Sequence, residues 1–423
     1  MNYQETNTVK LSISGEIMIS TKVKKLVQHA YQTVPFYMNI AREKSIDLNE
    51  WLELPITHKN DLVLKNDSFI SANYLADMLQ NKLLHAHTSG TTGKCADIYW
   101  SMSECKRSLL PLWMARRMYY NIVPGDKYCY FYSARRIGAT DIEIEESETS
   151  LGFCKSNLNE QKLINIWNRM KEYKPVWINA QPSELFLLCK TIEKNNLDMI
   201  PTLRYVESTG EMLFPHVRRY IEDILGLHVV NQYGCYEMNS IAYECPCGNL
   251  HCFETNVKVE ILDAENRELE EGMEGEICVT TLNNFVMPLI RYKVGDYGRI
   301  VPGTCKCGAK GKIIELTSGR SNDFVTDCEG NKLSAFIFVR CVENVNRMYE
   351  HAILQFQVVQ SDINEFQVIL VVDEEFEFNE IADCFMNNLW QDTLRDAQFK
   401  FYFSEELLPD DTGKLKWFIN KCV

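Results

Sequence analysis

Between Ile98 and Gln232 the chain switches repeatedly between two periodicities, and no other feature limits its fold as much. Short apolar runs at 98–100, 128–132, 175–178, 203–207 and 229–232 read as buried strands. Between them lie stretches with apolar residues at helical spacing: Ser103 to Tyr120, Asn159 to Tyr173, Ser183 to Asn195 and Pro215 to Leu225. A strand that returns parallel to its neighbour needs a long crossover, and a helix is the usual one. The alternation therefore predicts an α/β architecture with a largely parallel sheet. Ser103 is expected to cap the first of these helices.

The pattern changes on either side. Val23 to Arg42 reads as a helix broken at Pro35. After His251, Val257 to Leu262, Gly275 to Thr281 and Tyr297 to Val301 read as strands of an antiparallel sheet or small barrel. Beyond Gly319, helices at Phe336 to Arg347 and Ile381 to Asp396 accompany strands at Ile353 to Gln360, Glu365 to Val372 and Gln398 to Phe403, as in a compact α+β module. The expected fold is a large N-terminal α/β domain, 1–319, with mixed and parallel sheets and a small barrel-like sheet, followed by a small C-terminal α+β domain, 320–423. A chain of 423 residues has room for both.

Composition narrows the function. A net charge of −14 makes the chain a poor partner for a phosphate backbone, so nucleic-acid binding is not expected. No apolar run reaches bilayer length, and the polar start, Met1 to Glu16, has no charged-then-apolar leader pattern. The expectation is a cytoplasmic protein without membrane contact. Its sixteen cysteines should then be reduced. Cys129, Cys154, Cys189, Cys278, Cys341 and Cys384 sit in apolar runs as small hydrophobes. Glu143 to Glu148 reads as a solvated acidic loop.

Two cysteine groups differ from the rest: Cys245-Pro246-Cys247-Gly248 leading to His251-Cys252, and Cys305-Lys306-Cys307-Gly308. Thiolate and imidazole donors on glycine turns suit Zn²⁺, with reduced surface thiols as the alternative. The stretch His87-Thr88-Ser89-Gly90-Thr91-Thr92-Gly93-Lys94 offers hydroxyls, backbone N–H groups and one cation to a phosphate. It lacks the glycine spacing of the common NTPase loop, and Cys95 stands where that loop has Ser or Thr. A linker between two strands is the other reading.

Ser89 to Lys94 resembles the signature loop of the adenylate-forming superfamily. More narrowly, the chain resembles the phenylacetate–CoA ligase branch. Collinear stretches carry the likeness: Tyr31-Gln32-Thr33-Val34-Pro35-Phe36-Tyr37, Glu207-Ser208-Thr209-Gly210-Glu211, Asn231-Gln232-Tyr233-Gly234-Cys235-Tyr236-Glu237, Pro288-Leu289-Ile290-Arg291-Tyr292-Lys293-Val294-Gly295-Asp296, Gly319-Arg320-Ser321-Asn322-Asp323 and Leu408-Pro409-Asp410-Asp411-Thr412-Gly413-Lys414. The resemblance implies ATP-dependent activation of a carboxylic acid through an acyl-adenylate that passes to coenzyme A; an aryl acid is the first expectation, and an amino acid or a polar carboxylate stays open. An amine or a carrier protein as acceptor stays open, as does a catalytically retired nucleotide-binding protein, and a homodimer is admitted.

The same resemblance assigns roles. Lys414 would be the catalytic cation and Glu237 a ligand of Mg²⁺. Ser89, Gly90, Thr91, Thr92, Gly93 and Lys94 would cradle the phosphates of ATP. Gly210, Glu211, Asn231, Tyr233 and Gly234 would line the adenine, with Asp296 and Arg320 at the ribose. Cys245, His251, Cys305 and Cys307 would hold a structural Zn²⁺, with Cys247 as substitute ligand. The C-terminal module would be mobile about a hinge near Asn322. Tyr236, Asn322, Val294 and Trp417 depart from the residues usual in the branch (Thr, Asp, Thr and Arg). The stretch Tyr132 to Gly138 would border the acyl pocket, where Arg135 and Arg136 either meet a polar substituent or face solvent.

Overall fold

The computed structural model describes residues 10–11, 17–18, 21–87, 96–132, 136–137, 140–141, 143–155, 158–318, 324–327, 332–349, 352–389, 394, 397–408 and 415–422. These form two compact units, one from 1–123 and 232–317, the other from 124–231 and 318–423. Among the described residues no helix is long and apolar enough to cross a membrane.

In the first unit, strands run side by side in the order Val257–Leu262, Gly275–Thr281, Tyr292–Val301, Ile313–Ser318, Leu250–Cys252 and Asn239–Glu244. The registered pairs Val257–Leu262 with Gly275–Thr281, Gly275–Thr281 with Tyr292–Val301, and Asn239–Glu244 with Leu250–Cys252 are antiparallel. Helices Thr21–Thr33 and Pro35–Glu43 join this unit's core through Val23, Leu26, Tyr37 and Ala30, beside Trp51, Ile241 and Ile277. Pro35 ends one helix and opens the next, where its missing N–H costs nothing. The helix Met102–Tyr120 is capped by Ser101, whose hydroxyl accepts from the Glu104 N–H. Ser103, expected as the cap, already lies in the first turn, because the helix starts two residues earlier than its apolar pattern suggests. Leu84–His87 and Asp97–Trp100 form an antiparallel hairpin. The residues of the glycine loop between them lie outside the described residues.

The second unit carries the parallel sheet. Tyr205–Thr209, Trp177–Ala180, Tyr128–Tyr132 and Ser150–Cys154 are parallel neighbours. Helices Glu160–Tyr173, Pro182–Lys194 and Pro215–Leu225 pack on this sheet through Leu163, Trp167, Leu185, Leu188 and Ile221. The α/β reading holds. The acidic stretch is a correction: Ile144–Glu146 is an antiparallel edge strand rather than a loop. Its charges are exposed and pair with the neighbouring helix, Glu143 with Lys162 at 2.7 Å and Glu146 with Arg169 at 2.6 Å. Charged side chains on an edge strand discourage pairing with other chains.

The last segment is the α+β module, with strands in the order Gln398–Phe403, Glu365–Val372, Ile353–Asp362 and Phe418–Asn420. Helices Phe336–Met348 and Phe378–Leu389 cover it through Phe338, Val342, Ile381 and Phe385. The second helix starts before Ile381, at Phe378.

Candidate functional site

Two irregular strand segments, within 232–235 and 292–301, frame the candidate site. Val229–Cys235 pairs with Asn239–Glu244, and the register slips between Tyr233 and Gly234. A Cβ at Gly234 would lie 2.1 Å from the Asn239 carbonyl oxygen, so only glycine fits. In the other strand Lys293 pairs with Cys278 and Tyr297 with Glu276, leaving Val294, Gly295 and Asp296 opposite Ile277 alone. Gly295 makes that bulge at φ +88°. Bulges re-aim side chains next to binding sites.

The result joins residues far apart in sequence. The Tyr233 hydroxyl donates to Asp296 Oδ2 at 2.8 Å. The Tyr292 hydroxyl donates to Glu237 Oε1 at 3.0 Å. Burial, followed by the charge of Asp296 for Tyr233 and of Glu237 for Tyr292, pushes both phenols well above their usual range. Both therefore stay protonated donors at neutral pH. Tyr292 had no assigned role in the sequence; its place beside Arg291 in the Arg-Tyr motif was the available signal.

Arg291 itself points elsewhere. It is buried and adopts φ +47°, an unusual conformation for a residue with a side chain. Its Nη1 donates to the Leu54 carbonyl at 3.0 Å, and its Nη2 lies 3.4 Å from Glu260 Oε1. Trp51 Nε1 donates to the same oxygen at 2.8 Å, and Lys258 Nζ stands 3.9 Å from Glu260 Oε2. Glu260 is thus a buried acid with two cationic neighbours, Arg291 and Lys258. Glu237, by contrast, is 6% exposed and has no cationic partner among the described residues.

In the second unit Gly210, at φ +84°, turns the chain after Tyr205–Thr209. Glu211 then accepts from the Ser183 N–H at 3.1 Å, the Ser183 hydroxyl at 3.0 Å and the Leu415 N–H at 3.2 Å. Burial raises its carboxyl despite these donors. Leu415 directly follows Lys414, so Glu211 touches the residue next to the expected catalytic lysine. Asn231 is half-buried in Val229–Cys235. Ser89, Gly90, Thr91, Thr92, Gly93, Lys94, Arg320, Asn322 and Lys414 lie outside the described residues, as does Arg135.

The expected metal ligands converge. One donor atom each from Cys245, His251, Cys305 and Cys307 lies within 4.8 Å of the others. Cys245 Sγ is 3.6 Å from Cys305 Sγ, and Cys307 Sγ is 3.3 Å from His251 Nε2. A tetrahedral Zn²⁺ with bonds of about 2.3 Å separates its ligands by roughly 3.8 Å, so the donor set fits that ion. Glycines at positive φ, Gly248 at +79° and Gly308 at +77°, turn both hooks toward the cluster. The Cys307 N–H and, more weakly, His251 and Asn249 draw the Cys305 thiol down to about 5. Cys247 is exposed and is not one of the four.

Three departures from the branch have local explanations. Tyr236 is 57% exposed, and its carbonyl accepts from Trp100 Nε1 at 3.4 Å. Val294 packs on the first unit's core. Trp417 is a buried core aromatic, with ring centroids 5.8 Å from Phe214 and 5.9 Å from Phe356.

Comparison with known proteins gives a consistent picture. Residues 325–421 match the family model of the CapK C-terminal domain. The chain is 24% identical over 389 residues to the phenylacetate–coenzyme A ligase of Thermus thermophilus, spanning 85% of this chain and 82% of that protein. It is 26% identical over 331 residues to the Escherichia coli enzyme of the same name, covering 72% and 70% of the two chains. It is 23% identical over 411 residues to Protein CapK of Staphylococcus aureus, covering 91% and 84%. In fold it resembles 2-hydroxyisobutyryl-CoA ligase in the postadenylation state, with a TM-score of 0.73, 16% identity and coverage of 95% of this chain and 88% of that one. Over most of its length the chain resembles the phenylacetate–coenzyme A ligases, and its fold is that of solved acyl-CoA ligases.

Proposed function

We infer that this protein is an AMP-forming ligase that activates a carboxylic acid, of aryl type, with ATP and passes the acyl group to coenzyme A in the cytoplasm. The observation that carries the reading is the pair of hydrogen bonds that join two separate motifs of the first unit, Tyr233 to Asp296 and Tyr292 to Glu237. In the first half-reaction a carboxylate oxygen bonds to the α-phosphorus while the bond to pyrophosphate breaks. Attacker and phosphate are both anionic, so cations and oriented donors must offset their repulsion. Lys414 would supply the cation that both groups share, and Ser89 to Lys94 would hold the phosphates. Glu237 would hold Mg²⁺, which neutralises phosphate charge when bound. Asp296 and Arg320 would take the ribose, and Gly210, Glu211, Asn231, Tyr233 and Gly234 the adenine. The functional division would fall at 319/320, with 320–423 presenting Lys414.

A Zn²⁺ held by Cys245, His251, Cys305 and Cys307 would use all its positions on protein and so staple the sheet rather than react. Metal analysis should find about one zinc per chain, and a metal-free yet fully folded protein would remove the staple.

The deciding measurement is ATP–pyrophosphate exchange across a panel of carboxylic acids, with and without coenzyme A. Exchange with aryl acids, and a thioester formed only when coenzyme A is added, is the expected result. An adenylate that forms but is released only to an amine or carrier protein would redirect the second step. Lys414→Ala should abolish exchange while nucleotide binding persists; undiminished turnover would refute its role.

A further inference from the structure

The two motifs of the first unit are joined crosswise. Tyr233 opens the stretch that ends in Glu237, yet it holds Asp296. Tyr292 opens the stretch that ends in Asp296, yet it holds Glu237. We propose that Tyr292 and Tyr233 are positioning residues of the adenylation site, Tyr292 aiming the Glu237 carboxylate at the metal-bearing phosphates and Tyr233 aiming the Asp296 carboxylate at the ribose, so that each motif sets the other before nucleotide arrives. This rests on the ligase reading given above.

The chemistry of the donors carries the inference. An ionised carboxylate has about four acceptor positions, and a phenol hydroxyl satisfies one of them. A tyrosine therefore fixes the rotation of the carboxylate while leaving further acceptor positions for a ligand. It also leaves the charge in place, because the phenol is neutral. An arginine or lysine in the same position would orient the acid but cancel the charge that a divalent cation requires. The unit uses that other solution at Glu260, where Arg291 and Lys258 stand 3.4 Å and 3.9 Å away. The backbone is irregular at both acids: Glu237 follows the slip at Tyr233/Gly234, and Asp296 lies in the bulge of Val294 to Asp296.

Tyr233→Phe and Tyr292→Phe keep the rings and delete one hydroxyl each. The probes are ATP, 2′,3′-dideoxy-ATP and Mg²⁺, read by pyrophosphate exchange with a carboxylic acid that the unaltered protein accepts. Tyr292→Phe should raise the half-saturating Mg²⁺ concentration about tenfold and leave discrimination between ATP and the dideoxy analogue unchanged, as loss of an outer partner weakens a metal site about 10- to 100-fold. Tyr233→Phe should do the reverse: about a tenfold narrower preference for ATP over the analogue, with the Mg²⁺ requirement unchanged. A merely structural role moves both readouts together, in step with a lowered thermal midpoint, and that result overturns the proposal. So does a pair of variants indistinguishable from the parent. If the parent itself neither binds Mg²⁺–ATP nor exchanges pyrophosphate with any acid, the ligase reading falls, and this inference with it.

Discussion

Glu260 and Glu237 are both buried in the first unit, one wholly and the other 6% exposed, and the unit treats them differently. Glu260 is surrounded by Arg291, Lys258 and the Trp51 indole N–H. Glu237 receives the neutral hydroxyl of Tyr292. Taking a carboxylate out of water is expensive, and the expense is offset only by opposite charge and hydrogen bonds. At Glu260 the protein provides both, opposite charge from Arg291 and Lys258 and a hydrogen bond from Trp51. At Glu237 it provides orientation and leaves the charge to be met from outside. Under the proposed function, partners, more than depth of burial, separate the acid that holds the fold from the acid that would serve a substrate.

Exchanging each acid for its amide tests this directly. Glu260→Gln should cost about 3–5 kcal/mol of stability, because Arg291 and Lys258 remain buried without their counter-charge. Denaturant unfolding would show it as a lowered midpoint, with exchange activity per folded molecule unchanged. A midpoint equal to that of the parent would mean that the cluster is solvated in a way its geometry does not suggest. Glu237→Gln should behave oppositely. Tyr292 can still donate to the amide oxygen, so the unfolding midpoint should move little. Pyrophosphate exchange should fall roughly 10²- to 10³-fold, the loss typical of removing one electrostatic contact from a reacting phosphate or oxyanion. If stability drops and activity per folded molecule holds, the two acids have been assigned the wrong way round.

Much of this was legible in the sequence. The switch between periods of 2 and 3.6 gave the parallel strands from Tyr128 to Thr209 and their helices, because each packed face leaves its repeat in the chain. Ser150–Cys154 and Ile144–Glu146 leave no such mark: the first is interrupted by Gly152, and the second is an edge strand whose acids hide the pattern. Paired cysteines on glycine turns mark a metal-type cluster, and the resemblance to the ligase branch singles out Cys245, His251, Cys305 and Cys307 within it. The hydroxyl partners of the two acids were not. Periodicity cannot report which tyrosine meets which carboxylate across a bulge, since the register slips at Tyr233/Gly234 and between Glu276 and Cys278 appear only once the strands are paired. Trp417 is a similar case. Its position suggested a lost cation, and its rings show a core contact.

A third buried acid lies between the two extremes and yields the smallest effect. Glu184, in the second unit, is 2% exposed and has one cationic neighbour, Lys155, at 3.2 Å. Its Oε2 also accepts from the Gln181 N–H at 2.8 Å, closing the start of helix Pro182–Lys194. Burial outweighs Lys155 and pushes the carboxyl from 4.5 up to about 7. The sign follows from linkage. Between these values the folded chain keeps a proton that the unfolded chain has released, so stability declines as pH rises through that window. The contribution is complete below about 4.5 and gone above about 7, and it amounts to at most about 3 kcal/mol. In Glu184→Gln the amide oxygen can still accept from Gln181, so the helix start survives. Within the window the folded chain already carries Glu184 as the neutral acid, so the amide takes a counter-charge from Lys155 only above about 7. The difference in unfolding free energy between pH 5 and pH 8 should therefore shrink in the variant, by up to about 3 kcal/mol. An unchanged slope would mean that Lys155 neutralises Glu184 as fully as Arg291 and Lys258 neutralise Glu260, and that one well-placed cation is enough.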